Sequence, residues 1–324
     1  MVIFQAAGYK GLFLQVVDLE GFAGELRTHR HFVEDEEVGR LFHGRGGCFP
    51  GFENVSVDYF APVILVTGYA PLEEGFLQSL VTEIIQEFGD RVKAILLQER
   101  HLHRSPTQLV WGRHEWGDSI IQELGLQYKV SLGQHQNVGF FLDTRNLRKY
   151  IKTHAKGRLC LNLFSYTGSL SVAAMAGGAR GVVNMDLSRN SLATARHNHR
   201  LNQHDTSRVS FLPHDVLKSF GKLTKLGPFG LVILDPPSDQ GKSFRVERDY
   251  GKIVRRLVDF VEPGGLVLAC LNAPYLSYED LRDYFDHNSP AGEFHHQEDI
   301  DVPPSFRESR RGGGLKVSVF KRSH

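Results

Sequence analysis

Residues 231–238 read Leu-Val-Ile-Leu-Asp-Pro-Pro-Ser. A run of branched apolar residues with no polar alternation fits a strand buried on both faces, as in a parallel sheet covered by helices. The run stops at a carboxylate, Asp235. Pro236 and Pro237 cannot continue a strand ladder, and Ser238 follows them. A rigid polar turn is therefore expected at the carboxyl edge of a sheet, the edge at which open α/β sheets bind ligands.

Upstream, Leu159–Phe164 is a second apolar run, followed by Ser165, Tyr166, Thr167 and Gly168 and then by small, helix-favouring residues. The order is strand, tight turn, helix. A further apolar run, 181–185, ends at Asp186. An acidic residue about 20 positions after the first turn, closing the second strand, is the arrangement that binds ribose hydroxyls in nucleotide-binding folds. Only Gly168 stands in the turn, so the G-x-G-x-x-G loop that cradles a pyrophosphate is absent. That counts against a dinucleotide.

The alternation continues. Ser188 is a candidate cap for a helix over 189–201, and 209–212 is a strand ending near Pro213, His214 and Asp215. A helix is expected over 246–261 with its stop at Pro263-Gly264-Gly265, then a strand over 266–271, a helix over 278–285, and a closing pair of strands over 294–300 and 315–320. Alternating strands and helices joined by short loops argue a parallel sheet covered on both faces.

The Asp-Pro-Pro-Ser turn resembles the Asp/Asn-Pro-Pro-x signature of S-adenosylmethionine-dependent methyltransferases that modify nucleic-acid bases. With Asn-Leu-Phe-Ser-Tyr-Thr-Gly (162–168), Met-Asp-Leu-Ser (185–188) and Pro-His-Asp-Val (213–216) in that order, the chain is similar to the bacterial 23S ribosomal RNA large-subunit methyltransferases. That family has cytosine-C5 and guanine-N7 members. Gln136–Arg145 resembles the family's strand-and-turn element ahead of the first sheet strand. The likeness covers roughly residues 128–324 and extends faintly back to about Val57.

The resemblance implies an α/β fold: a seven-stranded, Rossmann-like class I methyltransferase domain over 131–324, preceded by a small α+β domain over 1–130. It implies S-adenosylmethionine as cofactor, held by Phe140, Arg145, Asn162, Phe164, Ser165, Tyr166, Thr167, Gly168, Asp186, Leu187, Ser188, Asp215 and Val216. Asp186 is expected at the ribose, Asp215 and Val216 at the adenine, and Ser165–Thr167 with Arg145 at the methionine end, where free helix N–H groups favour a carboxylate. Asp235, Pro236, Pro237 and Ser238 are the expected catalytic turn. The ordinary reading of Asp186 and Asp215 is that of turn or helix caps.

Composition agrees with a globular chain of two domains. It has 324 residues, is 41% hydrophobic, and carries a formal net charge of +1. No run approaches the roughly 20 apolar residues of a membrane span. The start, Met-Val-Ile-Phe-Gln-Ala-Ala-Gly, lacks the basic region of a secretory signal. Cys48, Cys160 and Cys270 are too scattered for a disulfide framework or zinc site, so a cytoplasmic location is expected. Near neutrality is unusual for a nucleic-acid binder, but basic blocks occur at Arg27–His31, Arg100–Arg104 and Arg307–Arg311. Each is an ordinary solvated face or a phosphate contact. His43–Gly51 is glycine-rich, either a turn or a substrate loop. In 1–130, a strand pattern over 57–67 around Pro62, a helix over 76–88 and a strand over 92–98 are expected. The sixteen histidines include close pairs, but His197 and His199 point to different faces of a helix, and no catalytic metal is expected.

Two positions bear on the atom methylated. Cytosine C5 needs a cysteine nucleophile, which in the family follows the fifth strand. The corresponding position here is Asn272, and Cys270 falls in the strand. A nitrogen target needs only an acceptor that aligns the base, but an exocyclic amine usually brings an aromatic after the prolines, and Ser238 cannot stack. A guanine nitrogen, N7 or N2, of 23S ribosomal RNA or its precursor is the favoured substrate. The alternatives are cytosine C5, a protein or small-molecule substrate, or a cofactor-binding domain with little catalysis. Oligomeric state is not legible.

Overall fold

The computed structural model describes residues 2–4, 15–241 and 243–324. Most of the opening octapeptide, read above for a secretory signal, lies outside them. The chain divides into two compact units, residues 1–142 with 304–310, and residues 143–303 with 311–324. The division falls later than residue 130, and the chain returns to the first unit once near its end.

In the first unit, β1 (Val2–Phe4) pairs with β2 (Gln15–Val17). Helix α1 (Leu19–Thr28) starts where Asp18 accepts a hydrogen bond from the Gly21 amide at 2.9 Å, and a short α2 (His31–Glu34) follows. A five-stranded sheet has the order of the chain: β3 (Gly39–His43), β4 (Val55–Phe60), β5 (Val63–Gly68), β6 (Ala94–Glu99) and β7 (Thr107–Gly112). Only β5 and β6 run parallel, and the crossover between them is α3 (Glu74–Phe88). The core holds Phe22, Leu26, Phe42, Phe52, Ile64, Leu80, Ile84 and Ile95. Residues 57–67 form two strands rather than one, turning at Ala61-Pro62, because Pro62 has no N–H for a ladder. A second hairpin, β8 (Gly117–Glu123) and β9 (Leu126–Leu132), turns on Leu124 and Gly125, both at positive φ as a two-residue hairpin turn requires.

The second unit begins with α4 (Arg145–His154). Residues 136–143 are loop, not the expected strand and turn, and Gly139 takes a φ of 99° there. Then follow β10 (Leu159–Leu163), α5 (Ser169–Ala176), β11 (Gly181–Met185), α6 (Arg189–Leu201), β12 (Val209–Leu212), α7 (Phe220–Leu226), β13 (Phe229–Leu234), α8 (Val246–Val254), β14 (Val261–Leu271), α9 (Tyr278–Asn288), β15 (Phe294–Asp299) and β16 (Lys316–Arg322). Helix α8 is shorter than expected, and β14 starts earlier, running through Pro263-Gly264-Gly265. Val261 aligns with Phe229 of β13, and a register shift before Leu266 absorbs the prolyl and glycyl residues.

One sheet orders these strands β12-β11-β10-β13-β14-β16-β15. The first five are parallel, and β16 runs antiparallel to both its neighbours. The chain leaves β10 in one direction, through β11 and β12, and then returns to its other side with β13. The strand order therefore reverses between β10 and β13, and the crevice above their carboxyl ends is the ligand-binding position of such sheets. Every residue of β13 is buried. Leu161 and Leu163 face one apolar cluster with Phe244, Tyr250 and Phe260, whereas Cys160 faces another with Leu147, Ile151 and Leu170.

Candidate active site

The turn leaving β10 is held in an unusual backbone. Phe164 and Tyr166 take φ of 56° and 46°, a left-handed conformation that costs a non-glycine residue about 1–3 kcal/mol. Hydrogen bonds to neighbouring elements hold it. The Ser165 amide donates to the Met185 carbonyl at 3.0 Å, the Tyr166 amide to Asp186 Oδ2 at 2.8 Å, and Asn198 Nδ2 to the Thr167 carbonyl at 2.9 Å. Gly168 has a φ of 75°, and a Cβ there would lie 2.7 Å from that of Ala195. Any side chain would push α6 away from the turn.

Below Gly168, Ser171 Oγ donates to its carbonyl at 2.8 Å and lies 2.9 Å from His199 Nε2, whose Nδ1 is 3.1 Å from His204 Nδ1. Burial, with His204 beside it, pushes His199 down to about 3, so the imidazole is neutral. His197 is exposed. No group of three or more metal-ligating side chains occurs among the described residues.

Asp186, half-buried at the end of β11, joins two loops. Its Oδ1 accepts from the Ser188 amide at 2.8 Å and its Oδ2 from Tyr166, which leaves lone pairs on both oxygens. Leu187 beside it is exposed, and Ser188 caps α6 by accepting from the Ser191 amide at 3.1 Å. At the next strand end, Asp215 Oδ1 accepts from the Leu217 amide at 2.9 Å, capping a turn over Val216–Lys218, and Val216 is in the core.

Asn162 is buried within β10 and donates from Nδ2 to Asn184 Oδ1 at 3.1 Å on the neighbouring strand. Strand alternation sends it to the face it shares with Cys160, opposite Leu161 and Leu163. Phe140 belongs to the first unit, where it packs on Tyr128 at a centroid distance of 4.7 Å. Arg145 is the first residue of α4.

At the end of β13, Asp235 is flanked by the Cys270 thiol, which donates to it, and by the Asp143 carboxylate. Burial, reinforced by Asp143, pushes the Asp235 carboxyl up to about 7. Cys270 is fully buried, and burial followed by Asp235 raises its thiol well above the ordinary range. Tyr250 donates to the Cys270 carbonyl at 3.1 Å. Ser238 Oγ donates to the Asn272 carbonyl at 2.6 Å, and the Ser238 carbonyl accepts from the Val246 amide at 3.0 Å. The Asp-Pro-Pro-Ser turn is thereby joined to the loop after β14.

That loop carries a residue that sequence reasoning does not single out. Tyr275 is 60% exposed, yet its hydroxyl is fixed by donation to Glu247. The buried Lys316 ammonium anchors the same loop through the Ala273 carbonyl at 2.7 Å. An exposed aromatic on a fixed loop has no composition or periodicity signal. Only the strand order brings it beside the turn.

Residues 39–321 match the S-adenosylmethionine-dependent methyltransferase family. This chain is a member of that family. YwbD of Bacillus subtilis, provisionally named a ribosomal RNA large subunit methyltransferase, is 30% identical over 273 residues, 82% of this chain and 68% of its own. The ribosomal RNA large subunit methyltransferase K/L of Shewanella loihica is 31% identical over 227 residues, 66% of this chain and 32% of its own. The chain thus spans about a third of the K/L protein's length. A solved structure, provisionally described as a methyltransferase and complexed with SAH, covers 98% of this chain and 87% of its own, at a TM-score of 0.85 and 23% identity, which establishes a shared fold.

The methyltransferase's cofactor is S-adenosylmethionine, and the switch-point residues fit it. Ser165 Oγ is buried with no hydrogen-bond partner among the described residues. Asp186 has acceptor capacity left for a ribose diol. When bound, the cofactor supplies a methyl group already activated on a sulfonium, so the protein's task is positioning and electrostatics.

Cys270→Ser is expected to keep methyl-transfer activity with a modest loss of stability, because a buried, protonated thiol is no nucleophile. Loss of turnover in a folded Cys270→Ser protein, together with loss of a covalent adduct formed by the parent, would restore cysteine chemistry.

Proposed function

We propose that this methyltransferase acts on a guanine nitrogen, N2 or N7, of large-subunit ribosomal RNA or its precursor in the cytoplasm. The observation that carries the reading is Asp235, a carboxyl pushed up to about 7 at the sheet's switch point beside a turn made rigid by two prolines. A group that exchanges its proton near neutral pH is suited to general base catalysis. Asp235 accepts the proton that an exocyclic amine sheds on methylation, while the Pro236 carbonyl accepts from the same edge of the base. Ring N7 sheds no proton, so the raised carboxyl favours N2 of the two. The names of YwbD and the K/L protein support RNA as substrate. Against cytosine C5, the position expected for a nucleophile holds the exposed Asn272, and Cys270 is enclosed.

In this reading, Asp186 holds the ribose and the Ser165–Gly168 turn the methionine end, with Leu187 and Val216 beside the adenine. Tyr275 supplies the ring that Ser238 lacks, stacking the extruded base. Stacking on an aromatic contributes about 1–3 kcal/mol per base, so Tyr275→Ala should raise the KM for RNA roughly 5- to 150-fold with cofactor affinity unchanged. Tyr275→Phe should keep most of the stacking. Equal KM values for the parent and Tyr275→Ala would remove the ring from the site.

The reading is tested by incubating the purified chain with methyl-labelled S-adenosylmethionine and ribosomal RNA. Label in a methylated guanosine supports it. Label in 5-methylcytidine, or in protein alone, overturns it.

A further inference from the structure

The first unit's sheet brings three separate segments to one edge. Strand β3 runs antiparallel to β4, β4 antiparallel to β5, and β5 parallel to β6. The carboxyl ends of β3, β5 and β6 therefore share an edge, and within two residues of these ends stand Arg45, Tyr69 and Arg100. The Arg45 guanidinium lies 4.0 Å from the Tyr69 ring centroid, and that of Arg100 lies 5.9 Å from it. Burial alone would raise the Tyr69 hydroxyl, yet Arg40, Arg45 and Arg100, the last also donating to it, hold it below its ordinary value.

The charges differ in how they are compensated. Arg40 is paired with Asp58 through two hydrogen bonds, at 2.7 and 2.9 Å. Arg100 donates from Nη2 to neutral acceptors, the Gln136 carbonyl at 3.0 Å and Asn137 Oδ1 at 2.7 Å, and its Nε is buried with no partner. Neither Arg45 nor Arg100 forms an ion pair with a carboxylate among the described residues. Two guanidiniums gathered on one phenol without an acid repel each other and favour an anion between them. Their planar forks suit phosphate oxygens.

The loop that presents Arg45 is fixed. A Cβ on Gly44 would lie 1.9 Å from the Phe52 carbonyl oxygen, and one on Gly46 would lie 2.0 Å from that of Arg307. The Gly46 carbonyl accepts from the Ser309 amide at 2.7 Å. The glycine-rich stretch thus serves close packing, and it holds the arginine in place.

We propose that Arg45, Tyr69 and Arg100 form a phosphodiester-binding site that grips the backbone of the RNA substrate. This deepens the RNA reading above and rests on it. The near-neutral net charge is compatible with it, since one local uncompensated cluster suffices for backbone contact.

The test is fluorescence anisotropy of a labelled single-stranded RNA oligonucleotide titrated with the full chain at several salt concentrations. Arg45→Glu and Arg100→Gln should each weaken binding about tenfold at about 50 mM salt, and each lost phosphate contact should lower the slope of log affinity against log salt by about 0.7. Cofactor affinity by calorimetry should not change. Arg45 is exposed, so its replacement does not threaten folding. Parental affinity and slope in folded Arg45→Glu protein would overturn the site. Equal competition by a polyglutamate peptide of matched charge would overturn phosphate as its ligand in favour of an acidic protein. Failure of the parent to bind RNA at all would overturn the RNA reading and this site with it.

Discussion

Asp235→Asn is expected to lower the single-turnover rate of methyl transfer to RNA by about a hundredfold or more, with S-adenosylmethionine binding near normal. The substitution keeps the shape of the side chain and an acceptor for the Cys270 thiol, but removes the proton-accepting carboxylate. General base catalysis contributes roughly 10²–10⁴ in rate. The sign of the pH dependence follows from the same group. Below about 7 the Asp235 carboxyl carries its proton and cannot accept another, so the parent's rate should rise as pH increases through about 7. In Asp235→Asn the rise should vanish, leaving a low, flat profile between pH 6 and 8, roughly the window set by that carboxyl. A variant that transfers at the parent rate, or one that no longer binds the cofactor, would make Asp235 structural.

Asp186→Ala should weaken S-adenosylmethionine binding by roughly 1–3 kcal/mol, the range for charge-assisted hydrogen bonds. The structure gives the loss two sources. Ribose acceptors disappear, and the Tyr166 and Ser188 amides lose the carboxylate that joins their loops. Because Phe164 and Tyr166 stand in left-handed backbone, the turn has reason to relax once that bond is gone. Asp186→Asn separates the sources, since it keeps an acceptor for one amide. Calorimetry on folded Asp186→Ala protein checks the assignment, and unchanged affinity would remove it.

The switch point was legible because it is built from buried parallel strands. Such strands read as unbroken apolar runs, and each of the three that matter stops at a polar residue where the sheet ends: Phe164-Ser165, Asp186 and Asp235. The polar residues at their tips are marked in the sequence for the same reason. Asn162 stands in a recognisable string, but alternation sets the face it takes. With Leu161 and Leu163 on one face, Asn162 had to share the other with Cys160. Asp215 caps the Val216–Lys218 turn, an ordinary role for a carboxylate at a strand end.

Exposed and edge features left weaker traces. Strand β7 and the β8–β9 hairpin carry too many polar residues to stand out, and residues 57–67 read in sequence as one strand pattern around Pro62. Tyr275 and the Arg45–Tyr69–Arg100 cluster depend on which strand ends share an edge. Strand direction and order set that, and local composition does not record it.

The central claim, methylation of a guanine nitrogen in large-subunit ribosomal RNA, is tested most directly by mass spectrometry of 23S ribosomal RNA nucleosides from cells with and without this protein. The account predicts that one methylated guanosine, N2 in preference to N7, disappears with the protein and returns with the parent sequence but not with Asp235→Asn. An unchanged methylguanosine profile, or loss of 5-methylcytidine instead, would contradict it.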